Sequence, residues 1–324
     1  LYDWLSFDRT WLADKDQRLP GHRSVGHEEL QTRAAIAVDS GYPSAIEYHD
    51  CQMYAPERLG LGCLQDAAAR GAVIANYVEA VSLEKDGSGA VTGALVRDVA
   101  SGAELRVTAR VTVNAAGPWA DGVMAMAQDG VPSHRLVRAK GIHLITRALT
   151  AGNTALAMFV GSGHFFVLPW RGHAIVGTTD DVFEGSPDRV TPTDADIDKM
   201  IAAVNTGLPS ANLTRADVIH AYAGVRPLID ESAPGAEGGS YKKSRKAEII
   251  DHAQDGEQGL ISALGGKWTT SRHVAAQAVD MIERRLGRGP CGRRGQRQTA
   301  QQRAHGPSRP PRLNWPAGSA GSRP

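Results

Sequence analysis

Apolar residues recur every three to four positions in three stretches of this chain and on alternate positions in several others, which predicts where it coils and where it extends. In PERLGLGCLQDAAAR, Leu59, Cys63, Leu64 and Ala67 fall at helical spacing, Pro56 suits a first turn and Gly71 a stop. In TDADIDKMIAAVNTGL, Ile197, Met200, Ile201 and Val204 share one face, Thr193 and Asp196 are capping residues, and Pro209 lies past the end. A closing helix is expected over residues 268–286, with Val274, Ala278 and Ile282 on its face. The segment from Ala72 to Gly117 alternates, with Asp86-Gly87 and Ser101-Gly102 as punctuation, so a meander of strands is expected. After Arg138 the runs KGIHLITR, ALAMFV, HFFVLPW and HAIVGTTDD, separated by glycine-containing turns, predict an antiparallel sheet that the 193–208 helix covers. Residues 234–241 read as a glycine-rich surface loop, and AEIIDHA and GLISALGG as strands. The order is α/β, then an antiparallel insertion, then a strand and helix of the α/β type again, so one sheet is built from distant pieces.

Composition narrows the class. A chain of 324 residues, 42% hydrophobic, has room for two modest domains of a soluble globular protein. The three cysteines, Cys51, Cys63 and Cys291, form no CxxC pair, so neither a disulfide framework nor a thiolate metal site is expected, and a reducing cytoplasm fits. No apolar run reaches the roughly 18 residues that span a bilayer, which leaves peripheral contact with the inner face of the cytoplasmic membrane compatible with the sequence. The net charge of +1 conceals an asymmetry: ten of the 36 basic residues and none of the 35 acidic ones lie in 284–324, so residues 1–283 carry a net −9. The tail 287–324, rich in Arg, Gly, Pro, Ser and Gln, reads as disordered. Its one stacking residue is Trp315, so nucleic-acid binding is not expected.

Chemistry enters with VNAAGPWAD at residues 113–121. Val111 and Val113 favour an extended chain, whereas Gly117 and Pro118 end it, leaving backbone almost bare where a flat or anionic ligand needs close approach; the plain alternative is a turn after a buried strand. Gly265 and Gly266, just before the last helix, would aim free N–H groups and the positive helix end at one spot, though paired glycines also make ordinary tight turns. A literal GxGxxG occurs at Gly287, Gly289 and Gly292, but it follows a helix, contains Pro290 and opens no strand-to-helix turn, so it is read as accidental.

Five separated segments, VNAAGPWAD, AKGIHLI, VGTTDD, YAGVRPLID and SALGGKWTTSRH, together with LPGHR and HDCQMYAPERL, resemble the FAD-dependent glycerol-3-phosphate dehydrogenases, within the D-amino-acid-oxidase-like flavoprotein group, over roughly residues 1–286. The resemblance implies an α/β (α+β mixed) fold, with a Rossmann-like FAD domain lacking its first βαβ unit and an inserted antiparallel substrate domain. The expected boundaries are 1–133 and 241–286 for the FAD domain, 134–240 for the substrate domain and 287–324 for the tail. Family members open with a strand, a GxGxxG turn and a helix for the FAD pyrophosphate. That unit would precede Leu1, so a truncated chain that holds FAD weakly on its own is expected.

The implied FAD contacts are Ala80 at the adenine, then Ala116, Gly117, Trp119, Gly224, Gly265, Gly266, Lys267, Trp268 and Thr269. A phosphate monoester calls for several cations, and Arg226, Arg245 and Lys267 match family positions lining the substrate site. His143 matches a family histidine that faces the substrate, where imidazole can take the hydroxyl proton; His143 and Arg226 are the expected catalytic pair. The implied reaction oxidises glycerol 3-phosphate to dihydroxyacetone phosphate, with electrons passing to a quinone at the membrane. The alternatives are an amino-acid or 2-hydroxy-acid oxidoreductase of the same group, or an inactive fragment.

Overall fold

The computed structural model describes residues 18–128, 136–161, 163–229 and 246–289, and isolated positions before them. In chain order the elements begin with β1 (Arg23–Val25), α1 (His27–Asp39), β2 (Ala45–Glu47), α2 (Pro56–Ala69), β3 (Val78–Lys85), β4 (Val91–Asp98), β5 (Glu104–Thr108), β6 (Thr112–Asn114) and α3 (Ala120–Ala127). They continue with β7 (Leu136–Arg147), β8 (Leu156–Val160), β9 (Gly163–Trp170), β10 (His173–Gly177), β11 (Asp181–Val182), α4 (Asp194–Gly207), β12 (Val218–Ile229), β13 (Glu248–Asp251), β14 (Leu260–Leu264) and α5 (Ser271–Arg285). Two compact units form: Leu1–Tyr54, Lys140–Asp181 and Asp188–Val225 make the first, and Ala55–Ala139, Val182–Pro187 and Arg226–Pro324 the second.

The first unit centres on the expected antiparallel sheet, ordered β11-β7-β10-β9-β8 with β12 also on β7. Alternation puts Ile142, Leu144, Phe165, Val167, Ala174 and Val176 on its buried face, where Met200 and Val204 of α4 close the core. Thr193 and Asp196 cap α4 reciprocally, each side chain holding the other residue's backbone N–H, as the sequence pattern requires. Residues 1–54, counted from sequence with the cofactor domain, group with this sheet, because Leu30, Ala34 and Ala37 of α1 pack into the same core.

The antiparallel pair β1–β2 and the helix α1 between them are tied by a square of charges. Arg23 and Arg33 each pair with both Glu29 and Glu47. The hydrogen bond from Arg23, then that from Arg33, lowers the Glu29 carboxyl to about 2 from an ordinary 4.5. A depressed carboxylate pKa contributes stability that is fully present above the unfolded value and is lost as pH falls through the folded one. Glu29→Gln is therefore expected to melt below the unsubstituted protein at neutral pH, with the gap closing between about pH 4.5 and 2. A gap that persists at the acid end would mean Glu29 acts through packing.

In the second unit, β3, β4 and β5 form the expected meander and β13, β14 and β6 a second sheet, in which β14 and β6 run parallel. Ala120 and Met124 of α3 pack with Leu136, Ile229, Ile250 and Leu264. Two expectations change here. Helix α2 forms where its periodicity places it, yet none of its residues is buried, and Leu59, Leu61 and Leu64 are exposed. Residues 72–77 lie outside any strand, with Val73 and Ile74 exposed. An apolar stripe is buried, and an extended segment becomes a strand, only against a neighbour; the Trp268 ring lies beside Gly60 of α2, which leaves Leu59, Leu61 and Leu64 exposed. The sequence-expected loop at 234–241 and the tail from Pro290 lie outside the described residues.

Candidate functional site

Within the second unit, two glycine turns leave the same end of one sheet. Strands β6 and β14 are parallel neighbours, with Asn114 opposite Ser262. Past Asn114 the chain enters a 3-10 turn over Gly117–Trp119; past Leu264 it enters Gly265-Gly266 and a second 3-10 turn, Trp268–Thr270, that leads into α5. Carboxyl ends of adjacent parallel strands are where open α/β sheets bind ligands. Gly117 has φ +56°, and a Cβ there would meet nothing within 4 Å, so bare backbone borders open space. Ala116 packs against the Ala120–Leu264 cluster, whereas Trp119 is 46% exposed and does not serve as core.

The turn is held by a residue the sequence did not single out. Arg138 donates through Nε and Nη2 to the Pro118 carbonyl at 3.0 and 2.7 Å, and through Nη2 to Asp121 at 2.6 Å. Its signal, a basic residue near the start of β7, the strand that follows α3, is visible only once that strand is placed.

Gly265 and Gly266 have φ of +65° and +82°, and a Cβ at Gly265 would lie 2.7 Å from the Lys246 carbonyl oxygen. Gly265→Ala is accordingly expected to cost about 1–3 kcal/mol, strain plus displacement, whereas Gly117→Ala, with open space around it, costs only the left-handed conformation, about 1–2 kcal/mol. Thermal melts read the difference, and a larger loss at Gly117 would contradict this account of the turn. No side chain caps the start of α5; the 3-10 turn Trp268–Thr270 runs directly into it, with the Thr270 and Ser271 N–H groups bonded to the Lys267 and Trp268 carbonyls, so the positive dipole end lies at that turn. Lys267, Trp268 and Thr269 are exposed beside it. Ala80, half-buried in β3, pairs with Val96 at a bulge that precedes Ser82. Arg226 is half-buried in β12, and Arg245 lies outside the described residues.

His143 and Gly224 belong to the first unit. His143 faces Gly177 across the β7–β10 ladder, and its ring lies where a Gly177 Cβ would be, 2.5 Å from Cδ2. Tyr222 stacks on the same imidazole with centroids 5.1 Å apart and planes 14° from parallel, and His220 stacks in turn on Tyr222. A bare Cα and an aromatic ring thus fix the orientation of the imidazole. Gly177 and Tyr222 lay inside quoted motifs, but their contact with His143 depends on strand register. Gly224 has open space where a Cβ would go. Among the described residues no cluster of His, Cys, Asp or Glu could hold a metal ion, and no helix is long and apolar enough to cross a membrane.

The bare turns at Ala116-Gly117 and Gly265-Gly266, with the uncapped helix start beside them, fit a large anionic cofactor that approaches backbone. Residues 3–272 match the model of the family described as FAD dependent oxidoreductase. A glycerol-3-phosphate dehydrogenase of Synechocystis is 36% identical over 305 residues, covering 90% of this chain and 53% of that protein. A probable mitochondrial glycerol-3-phosphate dehydrogenase of Caenorhabditis elegans is 33% identical, over 87% of this chain and 37% of its own length. Among solved structures, the glycerol-3-phosphate dehydrogenase from Bacillus halodurans complexed with FAD superposes with a TM-score of 0.67 at 28% identity, over 82% of this chain and 50% of that one. The chain thus spans about half the length, or less, of the relatives it matches.

Proposed function

The chain belongs to the family of FAD-dependent oxidoreductases, and from that premise we propose that it serves the oxidation of glycerol 3-phosphate to dihydroxyacetone phosphate. The observation that carries the reading is the pair of bare-backbone turns at the carboxyl ends of the parallel neighbours β6 and β14, in a chain whose relatives are named for this substrate. The cofactor, when bound, accepts the hydride from the carbon that bears the substrate hydroxyl.

Every other task falls to side chains and backbone. The second unit holds the cofactor through Ala80, Ala116, Gly117, Trp119, Gly265, Gly266, Lys267, Trp268 and Thr269, and Gly224 belongs to the same proposed set. The positive dipole end at the 3-10 turn leading into α5 would favour an anionic group held there. Arg226, Arg245 and Lys267 hold the phosphate, the guanidinium groups as forks and the ammonium as a point charge. His143 accepts the hydroxyl proton at a ring nitrogen, its orientation fixed by Gly177 and Tyr222. The domain assignment goes with these roles: the antiparallel sheet, with which residues 18–54 group, serves the substrate, and residues 55–133 and 241–286 serve the cofactor. Electrons then leave to a quinone, with the protein peripheral on the inner face of the membrane.

Turnover with a dye acceptor and added FAD, compared across glycerol 3-phosphate, glycine and lactate, tests the substrate. Oxidation confined to glycerol 3-phosphate is expected. A preference for glycine or lactate would transfer the site to the amino-acid or 2-hydroxy-acid oxidoreductases of the same group.

A further inference from the structure

One buried polar cluster lies outside every role assigned above. His252, fully buried, bonds through Nδ1 to Asp255 at 2.9 Å and through Nε2 to the Ser262 hydroxyl at 2.8 Å. Asn114 Nδ2 donates to Ser262 Oγ at 3.1 Å and to the Ala120 carbonyl at 2.9 Å, while Asn114 Oδ1 accepts the Ala116 N–H at 3.2 Å. The Ser, His and Asp composition matches a nucleophilic triad, but Ser262 is wholly buried and its hydroxyl already serves two side chains, so no substrate reaches it.

Donor and acceptor inventory fixes the polarity of the cluster. A carboxylate only accepts, so Nδ1 of His252 carries a hydrogen toward Asp255, and a ring that holds just that one hydrogen offers Nε2 as an acceptor. Ser262 must spend its O–H on Nε2 and keeps only lone pairs for Asn114. The Asn114 amide presents N–H to Ser262 as well as to the Ala120 carbonyl, and both partners leave Oδ1 aimed at the Ala116 N–H. A reversed amide would set two acceptors, or two donors, against each other in a buried place, and each unmet group there costs free energy.

We propose that Asp255, His252 and Ser262 are positioning residues that set the backbone at Ala116 through the one-way chain Asn114 to Ser262 to His252 to Asp255. The relay adds a second hold on the Asn114 amide beside the Ala120 carbonyl, and it ends on a carboxylate at the 3-10 turn His252–Asp255 after β13. The relay stands on the hydrogen bonds alone; its effect on cofactor affinity rests on reading that turn as a cofactor contact.

The test uses the full 324-residue chain labelled with ¹⁵N. The imidazole ¹⁵N shifts of His252 report the tautomer, amide exchange reports the Ala116 N–H, and quenching of added FAD reports affinity. The Nδ1–H tautomer is expected. Asp255→Ala, at the accessible end, and Ser262→Ala should each raise exchange at Ala116 roughly tenfold while the β13–β14 ladder amides keep their rates, and Ser262→Thr should restore it. An Nε2–H tautomer, an unmoved Ala116 amide, or a rise shared equally by the β13–β14 ladder would each overturn the relay. If Ala116 responds as expected while FAD affinity stays constant, the relay stands and the turn is not a cofactor contact.

Discussion

Replacing His143 with asparagine is expected to lower kcat for glycerol 3-phosphate by about a hundredfold to ten-thousandfold, the range a positioned general acid or base contributes. The change removes the ring that β7 presents against Gly177 and Tyr222, and with it the group proposed to accept the hydroxyl proton. The Michaelis constant should move far less than kcat, because phosphate contacts made by other side chains hold the substrate in both ground and transition states. Gly177→Ala gives a graded version, since its Cβ would lie 2.5 Å from Cδ2 of the imidazole and force the ring aside. Steady-state kinetics with saturating FAD decides the matter. A His143→Asn enzyme with unchanged kcat would reduce His143 to a packed histidine on a sheet.

Arg226→Lys carries the second large effect. A guanidinium can hold two phosphate oxygens, or one oxygen and the substrate hydroxyl, whereas an ammonium keeps the charge and loses the fork. Loss of one charge-assisted hydrogen bond is worth about 1.5–3 kcal/mol, roughly ten- to a hundredfold in kcat/KM. Arg226 is half-buried in β12, so its charge is less screened than that of an exposed arginine such as Arg106. Unphosphorylated glycerol separates the roles. A loss confined to glycerol 3-phosphate assigns Arg226 to the phosphate, an equal loss with both assigns it to the hydroxyl or the cofactor, and no loss with either removes it from the site.

Much of the fold was legible because it rests on local periodicity. Helix α4 combines a repeating apolar face with a complete capping box, and Met200 and Val204 are buried as their spacing requires. Strands β7 to β10 are bracketed by turn residues, and their alternation survives in the burial pattern. Helix α1 escaped notice because its buried positions include the small Ala34 and Ala37, which give little apolar contrast. Strand β12 escaped for a similar reason: its inward residues include Ala221 and Ala223, while its other face carries His220 and Tyr222. At α2 the periodicity foretold the helix but not its surroundings, since a pattern shows which face could be buried and not what buries it.

The candidate site divides along the same line. Gly117, Gly265 and Gly266 could be read from sequence because a bare, positive-φ turn needs glycine wherever it occurs. The hold of Arg138 on Pro118, the stacking of Tyr222 on His143 and the bond between Asn114 and Ser262, 148 positions apart, depend on register and on which strands become neighbours. No local pattern encodes them.

Anaerobic titration of a preparation shown by its absorbance to carry FAD, with glycerol 3-phosphate as the only reductant, tests the central claim most directly. The flavin's visible band should bleach in proportion to the sugar phosphate added, with dihydroxyacetone phosphate appearing in equal amount. A flavin that stays oxidised with glycerol 3-phosphate yet bleaches with glycine or lactate would contradict the account.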